Sequence, residues 1–308
     1  MNSFRKFSLS PERIAPLFVI IAASLWGFDG IVLRPSLFSL PVPLVVFIES
    51  SVVALLLSPF FIKHFPSLKN LYFKDWLAFF LVALLGGAIG TMAITKALFY
   101  VNFINLSVVI LLQKLQPVFA IVLASVFLKE NLNSKFFLWA SLAIVGAYFM
   151  TFGTKLPDFS TGDKTTIAAA FSLLAALSFG ASTVLSKRAL RNVSFEMGTY
   201  LRFLFSMGIM LIIVFYTGDI NKISDVSMNQ VIVFLIIALT TGGAAIFLYY
   251  YGLKRISASI ATICELAFPL TAVILEYFIH DNIMDLVQWM GAGVLLLSIL
   301  KVSLNQNQ

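Results

Sequence analysis

Leu115-Gln116-Pro117-Val118 and Ala267-Phe268-Pro269-Leu270 each set a proline inside a long apolar run, and the two prolines stand 152 positions apart in a chain of 308 residues. A proline interrupts an α-helix because it lacks an N–H and its ring crowds the preceding turn. The same interruption half a chain apart points to an internal duplication. Three further anchors keep the offset: Leu25-Trp26-Gly27-Phe28 matches Ser178-Phe179-Gly180-Ala181 at 153, Glu130-Asn131-Leu132 matches Asp281-Asn282-Ile283 at 151, and Trp139 matches Trp289 at 150. The order is preserved, and the drift falls in loops.

Composition says what kind of helix is being duplicated. The chain is 60% hydrophobic and 11% charged, whereas a soluble domain is usually ~45–50% apolar and ~25% charged. Its mean hydropathy is +0.98, and one core could not hide that much apolar surface from water. The chain is read as an integral membrane protein. Apolar runs between charged or Gly/Pro-rich breaks predict ten spans, at 13–34, 42–62, 75–98, 104–128, 135–152, 165–187, 195–217, 229–251, 257–279 and 284–302. Ten spans of roughly 20 residues each use about 200 residues and leave no room for an appended soluble domain. Trp26, Phe28 and Asp29 in the first run, with no small-residue cleavage site, mark it as a mature helix rather than a signal peptide.

Basic residues then set the orientation. With a cytoplasmic N-terminus, fourteen of the 21 Lys and Arg residues fall on the inner side and five on the outer side, while Lys114 and Arg202 lie within spans. Cytoplasmic loops carry the excess of basic residues, so both termini are expected in the cytoplasm. The pI of about 9.5 reflects these flanking charges, and no nucleic-acid partner is expected. Residues 1–153 and 164–304 form the two repeats. Each holds five spans, an odd number, so the second copy enters the membrane inverted. Inverted repeats suit a carrier, because two similar bundles can rock about a site near the midplane.

Ten spans in two five-helix halves resemble the drug/metabolite transporter superfamily, specifically its EamA-type members. Leu25-Trp26-Gly27, the paired prolines and Phe127-Leu128-Lys129-Glu130, similar to that family's leucine–x–glutamate ending, carry the resemblance. It covers nearly the whole chain. The second repeat departs from it, with Asp281 and Asn282 where the glutamate would fall. The resemblance implies a multi-pass protein of the bacterial inner membrane that exports amino acids, drugs or other small metabolites.

Charges inside spans mark the candidate site, since each costs at least ~2.5–3.5 kcal/mol at a helix centre and normally faces a polar cavity. Glu49 and Arg202 are 153 positions apart and so repeat-equivalent; they are expected to meet across a central cavity. Lys114 and Glu265 sit beside the two prolines, with Gln113 the equivalent of Glu265 at 152. Pro117 and Pro269 are expected to break their helices and free carbonyls for a substrate or water. Asp29 lies in Trp26-Gly27-Phe28-Asp29-Gly30, where Trp26 offers a flat wall for a ligand and Arg34 an alternative ion-pair partner for Asp29. Glu276 reads as interfacial. Tyr249-Tyr250-Tyr251 reads as an interfacial belt, and Tyr200 as facing away from Arg202.

Other chemistry is missing from the sequence. There is no phosphate-binding Gly-x-x-x-x-Gly-Lys-Ser/Thr loop, and His64, His280 and Cys264 make a poor zinc set. No metal, cofactor or enzymatic activity is expected. The mixed charges predict a secondary transporter of a small polar metabolite, an amino acid above all, its carboxylate meeting Lys114 or Arg202 and its ammonium a glutamate. Proton-coupled efflux of hydrophobic cations is the alternative, with Asp29, Glu49 or Glu265 as the proton-carrying group. A membrane enzyme or lipid-binding scaffold is the weakest reading.

Overall fold

The computed structural model describes residues 11–61, 68–69, 71–100, 112–156, 163–280 and 284–304. Among these residues, nine helices are long and apolar enough to span a bilayer, and a shorter apolar helix supplies a tenth element. In chain order they are α1 (Pro11–Leu37), α2 (Val42–Phe61), α3 (Phe73–Ala97), α4 (Gln116–Leu128), α5 (Ser134–Phe152), α6 (Thr166–Ala189), α7 (Phe195–Thr217), α8 (Met228–Arg255), α9 (Ala258–Ile279) and α10 (Leu286–Leu304). They match the ten expected spans; residues 104–111 of the fourth, like Asp281 and Asn282, lie outside the described residues. The protein is a multi-pass, all-helical membrane protein.

Helix starts follow local chemistry. Asn133 Oδ1 accepts from the backbone of Phe136 at 2.7 Å to open α5. Ser194, Ser227 and Ser257 cap α7, α8 and α9 in the same manner, satisfying N–H groups that have no partner within the helix.

Packing exchanges under a swap of the halves. Helix α1 packs on α8 and α9, while its repeat equivalent α6 packs on α3 and α4; α2 meets α7, and α5 meets α10. Two glycines carry the matching contacts. A Cβ on Gly27 would fall 2.7 Å from the carbonyl oxygen of Phe268, and one on Gly180 would fall 3.0 Å from that of Gln116. Each half therefore presses a side-chain-free backbone against the proline-broken span of the other.

Those breaks have a definite form. The chain turns at Lys114–Leu115 and at Glu265–Leu266. Leu115 N donates to Leu112 O at 3.1 Å, and Leu266 N to Ile263 O at the same distance. Pro117 then lies in the first turn of α4, the position where its missing N–H costs nothing. The expectation of free carbonyls is corrected at Glu265: its carbonyl would have paired with position 269, but Phe268 N reaches it instead at 2.9 Å. Wider turns of π type interrupt α3 at Ala83–Ile89 and α8 at Ala238–Gly242, at the glycine-rich stretches of the two halves.

Candidate functional site

Glu265 ends the first half-helix of α9, and the break turns its carboxylate towards three other spans. Oε2 accepts from Gln116 Nε2 of α4 at 2.7 Å. Oε1 accepts from Tyr249 Oη of α8 at 2.7 Å and from Thr183 Oγ1 of α6 at 3.2 Å. Tyr249 also donates to Thr183 at 3.0 Å. Trp26 of α1 packs on the Tyr249 ring, with centroids 5.3 Å apart and planes tilted by 56°. Five spans drawn from both repeats thus converge on one carboxylate. All of its hydrogen-bond donors are neutral, and no ion pair reaches it among the described residues.

A second cluster lies along α1, α2 and α8. Arg34 Nη2 stands 2.6 Å from Asp29 Oδ2 and 3.0 Å from Glu49 Oε1, and Arg34 Nε donates to Asp29 at 2.7 Å. Thr241 Oγ1, in the π turn of α8, donates to the other Asp29 oxygen at 3.2 Å. This arrangement corrects the pairing of Glu49 with Arg202. Arg34, fifteen residues before Glu49 in sequence, bridges both carboxylates, so Glu49 already shares a cation with Asp29 within the first repeat.

Arg202 belongs to a third group. Its Nη1 donates to Tyr250 Oη at 3.4 Å, its guanidinium lies over the Tyr250 ring at 5.8 Å, and Tyr250 shares a hydrogen bond of 3.0 Å with Ser186. It makes no ion pair among the described residues. Tyr200, as expected, faces elsewhere, bonding Ser58 at 3.1 Å and stacking on Phe61.

The other expected residues find different surroundings. Lys114 does not face Glu265: the turn after Gln113 swings it onto α5, where Nζ donates to Ala147 O at 3.2 Å and to Thr151 Oγ1. Gln113 is half-buried, but the glutamine that reaches Glu265 is Gln116, on the far side of the break. Tyr249 and Tyr250 are buried rather than interfacial, because α8 continues past them to Arg255. Trp26 serves the Glu265 cluster through Tyr249 instead of walling Asp29. Thr183, in a run of small residues, carried no sequence signal at all; Gln116 stood beside Pro117 and Arg34 five residues from Asp29, so proximity to a marked position was the available clue.

Glu130 also joins the halves. Its Oε1 accepts from Ala258 N at 2.7 Å, and its Oε2 from Ser259 N at 3.1 Å and Ser259 Oγ at 2.6 Å. The carboxylate after α4 therefore holds the start of the half-helix that ends in Glu265. Among the described residues, no cluster of His, Cys, Asp and Glu could hold a metal.

Comparison with known proteins adds a frame to this geometry. The EamA-like transporter family matches residues 13–152 and 166–304. The riboflavin transporter ImpX of Fusobacterium nucleatum is 47% identical over 288 residues, which is 93% of this chain and 96% of that protein. An uncharacterized transporter of Synechocystis is 27% identical over 242 residues, 75% of this chain and 66% of its own. A crystal structure sharing 14% identity superposes with a TM-score of 0.72, covering 95% of this chain and 97% of the other, a likeness of fold alone.

Proposed function

Because this chain belongs to the EamA-like transporter family and is a transporter of a small metabolite rather than an enzyme, we propose that its substrate is riboflavin or a close flavin, carried by alternating access of the two repeats. The observation that carries this reading is the set of neutral hydrogen-bond donors on Glu265, with an aromatic pair beside them. A flavin is a wide, planar, uncharged heterocycle with alternating donors and acceptors and a hydroxylated chain. Gln116, Thr183 and Tyr249 supply neutral hydrogen-bonding partners, and Trp26 beside Tyr249 supplies aromatic area. The 47% identity to a protein named as a riboflavin transporter supports the same substrate.

An amino acid fits this surround less well. A zwitterion needs a cation and an anion free in one cavity, but Lys114 is committed to α5 and Arg202 is engaged by the hydroxyl and ring of Tyr250. Hydrophobic cations remain a second reading, favoured by the lack of an ion pair at Glu265. In either case the two bundles must part on alternate sides. On one side the Asp29–Arg34–Glu49–Thr241 cluster ties α1 to α2 and α8; on the other, Glu130 ties the end of α4 to α9. The sequence assigns the first to the outer face and the second to the cytoplasmic face, with both termini inside. Substrate binding at Glu265 lies between these ties and can favour release of either.

Counterflow in proteoliposomes tests the reading. Vesicles preloaded with unlabelled riboflavin should accumulate labelled riboflavin, whereas vesicles preloaded with amino acids or a lipophilic cation should not. Tyr249→Phe removes a donor to a carboxylate, worth about 1.5–3 kcal/mol, and should weaken half-saturation roughly tenfold or more while the protein elutes normally. Amino-acid counterflow without riboflavin counterflow would restore the zwitterion reading and end this one.

A further inference from the structure

A pocket of about 310 Å³ lies where α5 and α9 begin and α8 and α10 end. Its walls carry three cations from three helices: Lys135 of α5, Arg255 of α8 and Lys301 of α10. Two carboxylates share the pocket, and both are spoken for. Glu130 uses both oxygens on the start of α9, and Glu12 has an interaction of its own. Lys135 and Lys301, by contrast, join no ion pair among the described residues. Arg255 stacks on the Tyr251 ring at 3.6 Å and donates Nη1 to the Tyr251 carbonyl, which fixes the plane of the guanidinium and leaves its remaining N–H groups available. The uncommitted charged groups are thus cations.

The surroundings are amphipathic in the sense a lipid requires. Below the lysines, Phe136 and Trp139 line the pocket wall. Phe137 and Leu138 follow Lys135 on α5, and Leu297 and Leu300 precede Lys301 on α10, all of them exposed apolar side chains. Charge therefore sits at the level of the helix ends, and apolar surface runs from there into the membrane-spanning length. Basic pockets between spanning helices are suited to anionic headgroups, and a planar guanidinium suits a phosphate oxygen pair.

We propose that this pocket binds a phosphate group, that of an anionic phospholipid whose acyl chains lie along α5 and α10. The occupant bridges α5, α8 and α10 beside Glu130, and so braces the helix ends around the start of α9. The site lies apart from Glu265 and does not depend on the identity of the transported compound.

The test is equilibrium lipid binding to the purified full-length protein in detergent, read by native mass spectrometry, which needs no transport. Phosphatidylglycerol should be retained more strongly than phosphatidylcholine. The double variant Lys135→Gln/Lys301→Gln should bind it about thirtyfold more weakly, from about 1 kcal/mol per cation at about 1.4 kcal/mol per tenfold. Lys222→Gln, an exposed lysine on the segment after α7, should bind as the wild type does. Inorganic phosphate as competitor separates the sources: displacement of the lipid at millimolar phosphate assigns the pocket to soluble phosphate, and resistance assigns it to the lipid headgroup. Equal retention of the two lipids, or undiminished binding by the double variant, overturns the proposal. Arg255→Gln serves as a second variant should the double variant fail to fold, with about fivefold weakening expected from the loss of one cation.

Discussion

Arg34 is the residue on which the most charge depends. It stands between Asp29 and Glu49, whose side chains are 8% and 15% exposed. A buried pair is weak evidence of stability, but removing one partner is costly because it strands the other. Here removal strands two. Arg34→Ala should destabilise the protein by about 3 kcal/mol or more, seen as a lower midpoint of thermal unfolding in detergent. Adding Glu49→Gln should recover part of the loss, since one of the stranded charges is then gone. An unchanged midpoint in Arg34→Ala would mean that the carboxylates are otherwise compensated. Nothing in the residue type of Arg34 distinguishes it from a loop cation; its role comes from the wide turn Asp29–Leu33, which brings Asp29 and Arg34 within one salt bridge although they are five residues apart.

At the level of elements, the proline-broken spans and the glycines opposite them act together. The sequence marked Pro117, Pro269, Gly27 and Gly180 as repeat anchors without saying what they touch. Their reason is close approach: a glycine of one half lies on the backbone of the other half's broken span, beside the turn that displays Glu265 or Lys114. Gly27→Ala should therefore reduce stability by about 1–3 kcal/mol through overpacking, because the obstacle is the Phe268 carbonyl and cannot rotate aside. Gly180→Ala should cost less, and Gly30→Ala, with open space around it, should cost little. Thermal unfolding of the three variants gives the ranking, and a neutral Gly27→Ala would show that the helices can separate there without cost. The same breaks explain why sequence spacing did not find Gln116 as the partner of Glu265. Counting by repeat offset assumes a continuous helix, and the turn at Lys114–Leu115 rotates the side chains after it relative to those before.

On the scale of the whole molecule, orientation can be measured with the chain's own chemistry. Cys264 is the sole cysteine and is fully buried, so a thiol placed on the surface reports without background. Asn133→Cys, before α5, should react with a membrane-impermeant reagent only from the cytoplasmic side, and Asn221→Cys, after α7, only from outside. Labelling from the opposite sides would reverse the orientation read from the basic residues. Composition, hydropathy and the half-chain offset were enough to read a ten-span membrane protein, because span length and the distribution of charge are imposed by the bilayer on each segment separately; its family came from the resemblance of Leu25-Trp26-Gly27, the paired prolines and Phe127-Leu128-Lys129-Glu130. The charges to be found within spans were legible for the same reason, since each is expensive on its own. Which charge meets which was not legible. Glu49 pairs with Arg34, Lys114 turns to α5, and Glu265 gathers Gln116, Thr183, Tyr249 and, through Tyr249, Trp26. Those contacts depend on helix breaks of a few residues and on the rotation of packed helices about one another, and only the tertiary structure fixes these.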